Sequence, residues 1–152
     1  MLKEADRQAT PEARYRGLLF IWVGQLTALA FLFAFTRFVA VERRGDEALR
    51  GQIFLALGGA AFALSFVLKR ILRRRAVVVQ RPDYVTTAYV LAFALSELPA
   101  ILGLMNYFLS GDPLTLLFLL AAAGLLLHFP RRQHLVAASP VGATSDIKST
   151  MH

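Results

Sequence analysis

Residues 84–109 read YVTTAYVLAFALSELPAILGLMNYFL, twenty-six positions with a single charge, Glu97, at the fourteenth. A bilayer core of about 30 Å is crossed by roughly 20 apolar residues at about 1.5 Å rise each. The segment meets that length, and its apolar positions run on without the period-two alternation of a barrel strand. Inside lipid only a helix can satisfy such a backbone from within. This one stretch therefore fixes an all-α membrane fold and sets Glu97 near the bilayer midplane.

Working outward, three more charge-free stretches stand on either side. Residues 17–36 lie between Arg16 and Arg37, residues 51–68 between Arg50 and Lys69, and residues 114–129 between Pro113 and Pro130. The last is short but continuously apolar. The sequence thus predicts a polytopic protein of four transmembrane helices, spanning 17–36, 51–68, 84–109 and 114–129. The 57% hydrophobic and 18% charged composition fits, since soluble domains run closer to about 25% charged. Cysteine is absent, which excludes disulfide frameworks, thiol nucleophiles and thiolate metal sites together.

Lys and Arg give the orientation. Segments 1–16, 69–83 and 130–152 hold 13 of them, and segments 37–50 and 110–113 hold 4. Both termini are expected in the cytoplasm (N-in/C-in) of a bacterial inner membrane. Three parts follow: a cytoplasmic segment 1–16, a transmembrane domain 17–130, and a disordered tail 131–152 rich in Ser, Thr, Gly and Pro. The run Lys69, Arg70, Arg73, Arg74 and Arg75 is expected to meet anionic headgroups, at about 1 kcal/mol per cation near the surface. Without a folded domain to present it, that run gives no reason to expect nucleic acid as a partner.

A charged side chain at the midplane costs about 2.5–3.5 kcal/mol on insertion scales. Eleven Leu, Ile, Val and Phe residues in 84–109 return about 0.3–0.6 kcal/mol each, so the helix can carry Glu97. Burial favours the neutral acid over the carboxylate, and a carboxyl that visits both states can pass a proton across a dry barrier. Glu97 is the proton-binding candidate. One step round the helix, Ala88, Ala92, Ser96, Ala100 and Gly103 form a small-residue stripe suited to close packing, and Gly58 and Gly59 of the second span offer a matching surface. Pro99 should kink the helix just beyond Glu97. Three readings follow: proton exchange, helix bridging in a scaffold protein through Gln25 and Thr27 at matching depth, and a small proton-coupled transporter.

The segment Gln80-Arg81-Pro82-Asp83, followed by Ala94-Leu95-Ser96-Glu97-Leu98-Pro99-Ala100-Ile101-Leu102-Gly103-Leu104, resembles the proteolipid c subunit of rotary ATPases. The resemblance covers about 60 residues and implies a hairpin with a glycine-bearing inner helix, a polar cytoplasmic loop and an outer helix with the ion-binding carboxylate. It would make Glu97 that carboxylate, give Gly58 and Gly59 to inner-helix packing, and place Arg81 and Pro82 in the loop. It also implies a homo-oligomer or neighbouring membrane subunits as partners.

The remaining polar residues read as structural. His128 and His134 flank the end of the fourth span and fit a headgroup stop, with His152 at the end of the chain. Asp112, in Ser110-Gly111-Asp112-Pro113, is a turn residue able to cap the next helix. No Ser/His/Asp set, phosphate-binding glycine loop or metal-ligand cluster stands out, so neither an enzyme nor a cofactor is expected.

Overall fold

The computed structural model describes residues 10–39, 41–42 and 48–139. Five helices follow in order: α1 Pro11–Phe38, α2 Ala48–Val79, α3 Pro82–Ser110, α4 Thr115–Leu127 and α5 Arg132–Ala137. Lys3, Arg7, Arg43, Arg44 and the tail from 140 to His152 lie outside the described residues.

Three helices, α1, α2 and α3, are long and apolar enough to cross a membrane. α4 has 13 residues, about 20 Å at the usual rise. It falls short of a core of about 30 Å, so the fourth expected span is a shorter apolar helix than the run 114–129 suggests. The difference arises at both ends. Leu114 has φ 37 and stands outside the helix, and the backbone N–H of His128 already closes the last turn onto Gly124 O at 3.0 Å.

The basic segment 69–79 differs from expectation as well. It continues α2 for three further turns. Arg and Lys are good helix formers, and neither Gly nor Pro interrupts the chain before Pro82. α2 ends when Gln80 enters the left-handed region at φ 51. The Arg81 N–H then reaches Ala76 O at 3.1 Å and the Gln80 N–H reaches Val77 O at 3.4 Å. This is the six-to-one and five-to-two pattern that commonly closes a helix, here with Gln in the place Gly usually takes. Pro82 opens α3 at once, where its missing N–H costs nothing. The link between α2 and α3 is thus two residues long. Beyond α4, Pro130 breaks the chain and 132–137 form α5, so this part of the expected tail is ordered.

α3 packs against each of the other four helices. Its small-residue stripe faces inward: Ala88, Ala92, Ser96 and Ala100 are all buried, and a Cβ on Gly103 would touch Phe118 at 3.0 Å. Pro99 is buried inside α3, which runs unbroken from Pro82 to Ser110. Gly58 of α2 lies against Pro99 and Leu117, so α2, α3 and α4 meet there; open space surrounds Gly59. A Cβ on Gly124 of α4 would stand 2.8 Å from Ser96 Cβ, an obstacle fixed to the α3 backbone. α1 closes the bundle through Trp22, whose indole N–H donates to Leu125 O at 2.8 Å and satisfies one of the last carbonyls of α4.

Candidate functional site

Two polar centres stand in this apolar bundle. The first is Glu97, half-buried on α3. It sits at the boundary between the packed stripe and the outward-facing residues Val90, Leu98 and Ile101. Its carboxyl makes no hydrogen bond or ion pair with any described residue. Thr27 donates instead to Val23 O at 2.9 Å on its own helix, and the buried Gln25 Oε1 has no hydrogen-bond partner among the described residues. The structure therefore brings neither α1 residue into a bond with Glu97.

The second centre was not singled out in the sequence. It lies at the end of the bundle where α4 finishes and α3 begins, about three turns before α2 ends. His128, expected at the headgroups, is fully buried. Its Nε2 lies 2.8 Å from Ser65 Oγ and its Nδ1 lies 3.3 Å from Lys69 Nζ. An ammonium only donates, so Nδ1 accepts and the ring proton sits on Nε2, donating to Ser65. Ser65 in turn donates to Phe62 O at 2.6 Å. A chain of donors runs from Lys69 through His128 to the α2 backbone.

Lys69 also stands over the Tyr89 ring, 4.3 Å from its centre, a cation–π contact from α2 to α3. The Tyr89 hydroxyl accepts from the Arg131 N–H at 3.1 Å and donates to His134 Nδ1 at 2.6 Å. Phe66 packs on the His128 ring with centres 4.4 Å apart. Side chains from α2, α3 and α5 and the residue closing α4 thus form one network. The signals for it were faint: Ser65 and Lys69 are four apart on one face of α2, but nothing in the sequence pairs them with a residue 59 positions away.

His134 belongs to α5, outside the spanning helices. Burial, assisted by the cations Arg73, Lys69 and Arg131, holds its pKa down to about 4 from an ordinary 6.5. The folded state thus binds this proton less readily than the unfolded chain. The stabilising Tyr89–His134 contact is complete above about pH 6.5 and is lost as pH falls toward 4. A histidine ring titration by NMR in detergent should place the His134 midpoint near 4, and His134→Gln should remove its share of the acid sensitivity. A midpoint near 6.5 would mean that the ring is solvated and free of this network.

Ion pairs tie the same end together. Arg14 of α1 meets Asp83 of α3, and Glu12 meets Arg132 of α5 at 3.1 Å. Among the described cations, Arg14, Arg16, Lys69, Arg70, Arg73, Arg74, Arg75, Arg81, Arg131 and Arg132 belong to this end, while Arg37 and Arg50 belong to the other. At that other end the polar groups close turns. Asn106 donates to Asp112 O at 2.7 Å, and Asp112 Oδ1 accepts from the Leu114 N–H at 3.3 Å. Among the described residues no group of three or more acidic or His side chains gathers as a metal site.

Comparison with family models, with curated proteins and with solved structures finds no match to this chain.

Proposed function

We propose that the chain is a small subunit of a larger membrane assembly, multi-pass in a bacterial inner membrane with both termini cytoplasmic, and that Glu97 is its proton-exchanging carboxyl. One observation carries this reading: Glu97 lies beside the outward residues Leu98 and Ile101 and bonds to none of the described residues. An intramembrane carboxyl is costly unless it is neutral or finds a partner. With no partner among the described residues, the neutral acid exposed to lipid, or a group on an adjoining subunit, is what offsets the cost. That is the situation of a c-like subunit, where the carboxylate works at a surface. The concentration of cations at one end supports the orientation.

The test is labelling of native membranes with a hydrophobic carbodiimide, followed by mass spectrometry of the peptide containing Glu97. The reagent arrives through lipid and reacts with the protonated carboxyl. Labelling that declines as pH rises is the expected result, with Glu97→Gln abolishing both labelling and proton movement while assembly persists. No labelling at any pH would turn the assignment toward the scaffold alternative, in which Glu97 is sealed against a neighbour. Assembly would then survive Glu97→Gln, whose amide still hydrogen-bonds, and fail with Glu97→Leu.

A further inference from the structure

Because α2 continues as a helix past Lys69, its basic segment acquires a definite face. Phe66, Lys69, Arg70, Arg73, Arg74, Val77 and Val78 follow one another at helical spacings of three and four, so all seven share one side of the helix. They line an open cleft of about 940 Å³ whose opposite wall is Leu127 and His128, at the end of α4. Arg75, on the same segment, is not among the lining residues. The floor is built: His128 is fully buried, and its acceptor nitrogen holds Lys69 at 3.3 Å over the Tyr89 ring. Lys69 keeps donor protons beyond that bond, since an ammonium has three.

We propose that this cleft is a binding site for the phosphate headgroup of an anionic phospholipid. Four cations on two adjacent rows of α2 can surround one phosphate, and Arg presents paired N–H donors that match its oxygens. The apolar part of the wall says what carries that phosphate. Phe66 and Leu127, 36% and 63% exposed, stand on the side of the cations nearer the bundle. An acyl chain descending from a headgroup held by Lys69 and the arginines lies against these two side chains. A soluble phosphate has no use for them. Basic pockets between helices at the membrane surface recognise lipid headgroups in this way. The site depends on membrane insertion but not on Glu97.

Purified full-length protein in mild, lipid-free detergent supplies the test. Cardiolipin or phosphatidylglycerol should bind and raise the unfolding temperature, as read by native mass spectrometry and thermal denaturation, and phosphatidylcholine should do neither. Arg70→Gln and Arg74→Gln change exposed residues, so the fold should persist. Each should weaken anionic-lipid binding about fivefold, the equivalent of about 1 kcal/mol per cation. Arg75→Gln removes the same charge from the same segment and should leave binding within about twofold of the original. Equal losses in all three variants would overturn the site in favour of diffuse attraction. Competition by millimolar inorganic phosphate as strong as that by lipid would overturn the lipid assignment. The carbodiimide result at Glu97 is independent of each of these outcomes.

Discussion

Gly124→Ala is expected to separate α4 from α3 and to lower stability by about 1–3 kcal/mol, the usual cost of overfilling a packed core. The added methyl would lie 2.7 Å from Ser96 Oγ and 2.8 Å from Ser96 Cβ. A serine hydroxyl can rotate aside, but a Cβ is fixed to its backbone, so a helix must move. That movement would also disturb the Phe62 ring, 3.4 Å away. The pair offers an internal check. Ser96→Gly removes the obstructing atoms, so Gly124→Ala made in that background should cost far less than the sum of the two single changes. Thermal unfolding in detergent of the four proteins measures the coupling. Strict additivity would show that the α3–α4 contact is looser than described. Gly58→Ala is a milder case, because its nearest obstacle, 2.5 Å away, is the end of the flexible Leu117 side chain.

The second large effect is expected at His128. His128→Leu keeps an apolar filling but withdraws the acceptor from Lys69 and the donor from Ser65. Lys69 is then left at the bundle end with only the Tyr89 ring as its internal partner. Removing one member of a buried hydrogen-bonded set costs about 1–3 kcal/mol, more when a charge is stranded. Adding Lys69→Met to His128→Leu should recover part of that loss, because apolar replacement of both partners can be nearly neutral. Protease accessibility after Lys69 or Arg70 gives a local readout. It should rise in His128→Leu and fall back in the double variant. Unchanged stability in His128→Leu would show that the network merely decorates the bundle.

The helices were legible because lipid solubility leaves few options for stretches such as 17–36 and 84–109, where apolar character is continuous. The inward stripe Ala88, Ala92, Ser96, Ala100 and Gly103 could also be read, since helical spacing alone places those residues on one face. What covers that face could not. The sequence offered Gly58 and Gly59 of α2; Gly58 does lie against Pro99 of α3, while Gly103 and Ser96 are met by α4 and open space surrounds Gly59. Helix ends were harder still. Charge marks where lipid contact stops, not where hydrogen bonding stops, so the turns of α2 beyond Lys69 read as loop. The His128 network escaped for a related reason. Each member alone suits a membrane boundary, and only the folded chain shows that they meet. Glu97 was conspicuous by its expense, yet its lack of a partner among the described residues is a tertiary fact that no spacing encodes.

The inequality of the helices has a mechanical consequence. α2 has 32 residues and α4 has 13, about 48 Å and about 20 Å of helix. The charge-free part of α2, 51–68, is about 27 Å of helix, so lipids along α2 meet an apolar wall close to the height of the core, while those along α4 meet a shorter one. Mismatch of this kind is relieved by tilting or by local thinning, at a fraction of a kcal/mol per Å. Here the relief is one-sided. Set in a bilayer, a chain of this shape would act on the surrounding sheet as a wedge, and two copies whose thinned flanks adjoined would share a single deformation instead of making two.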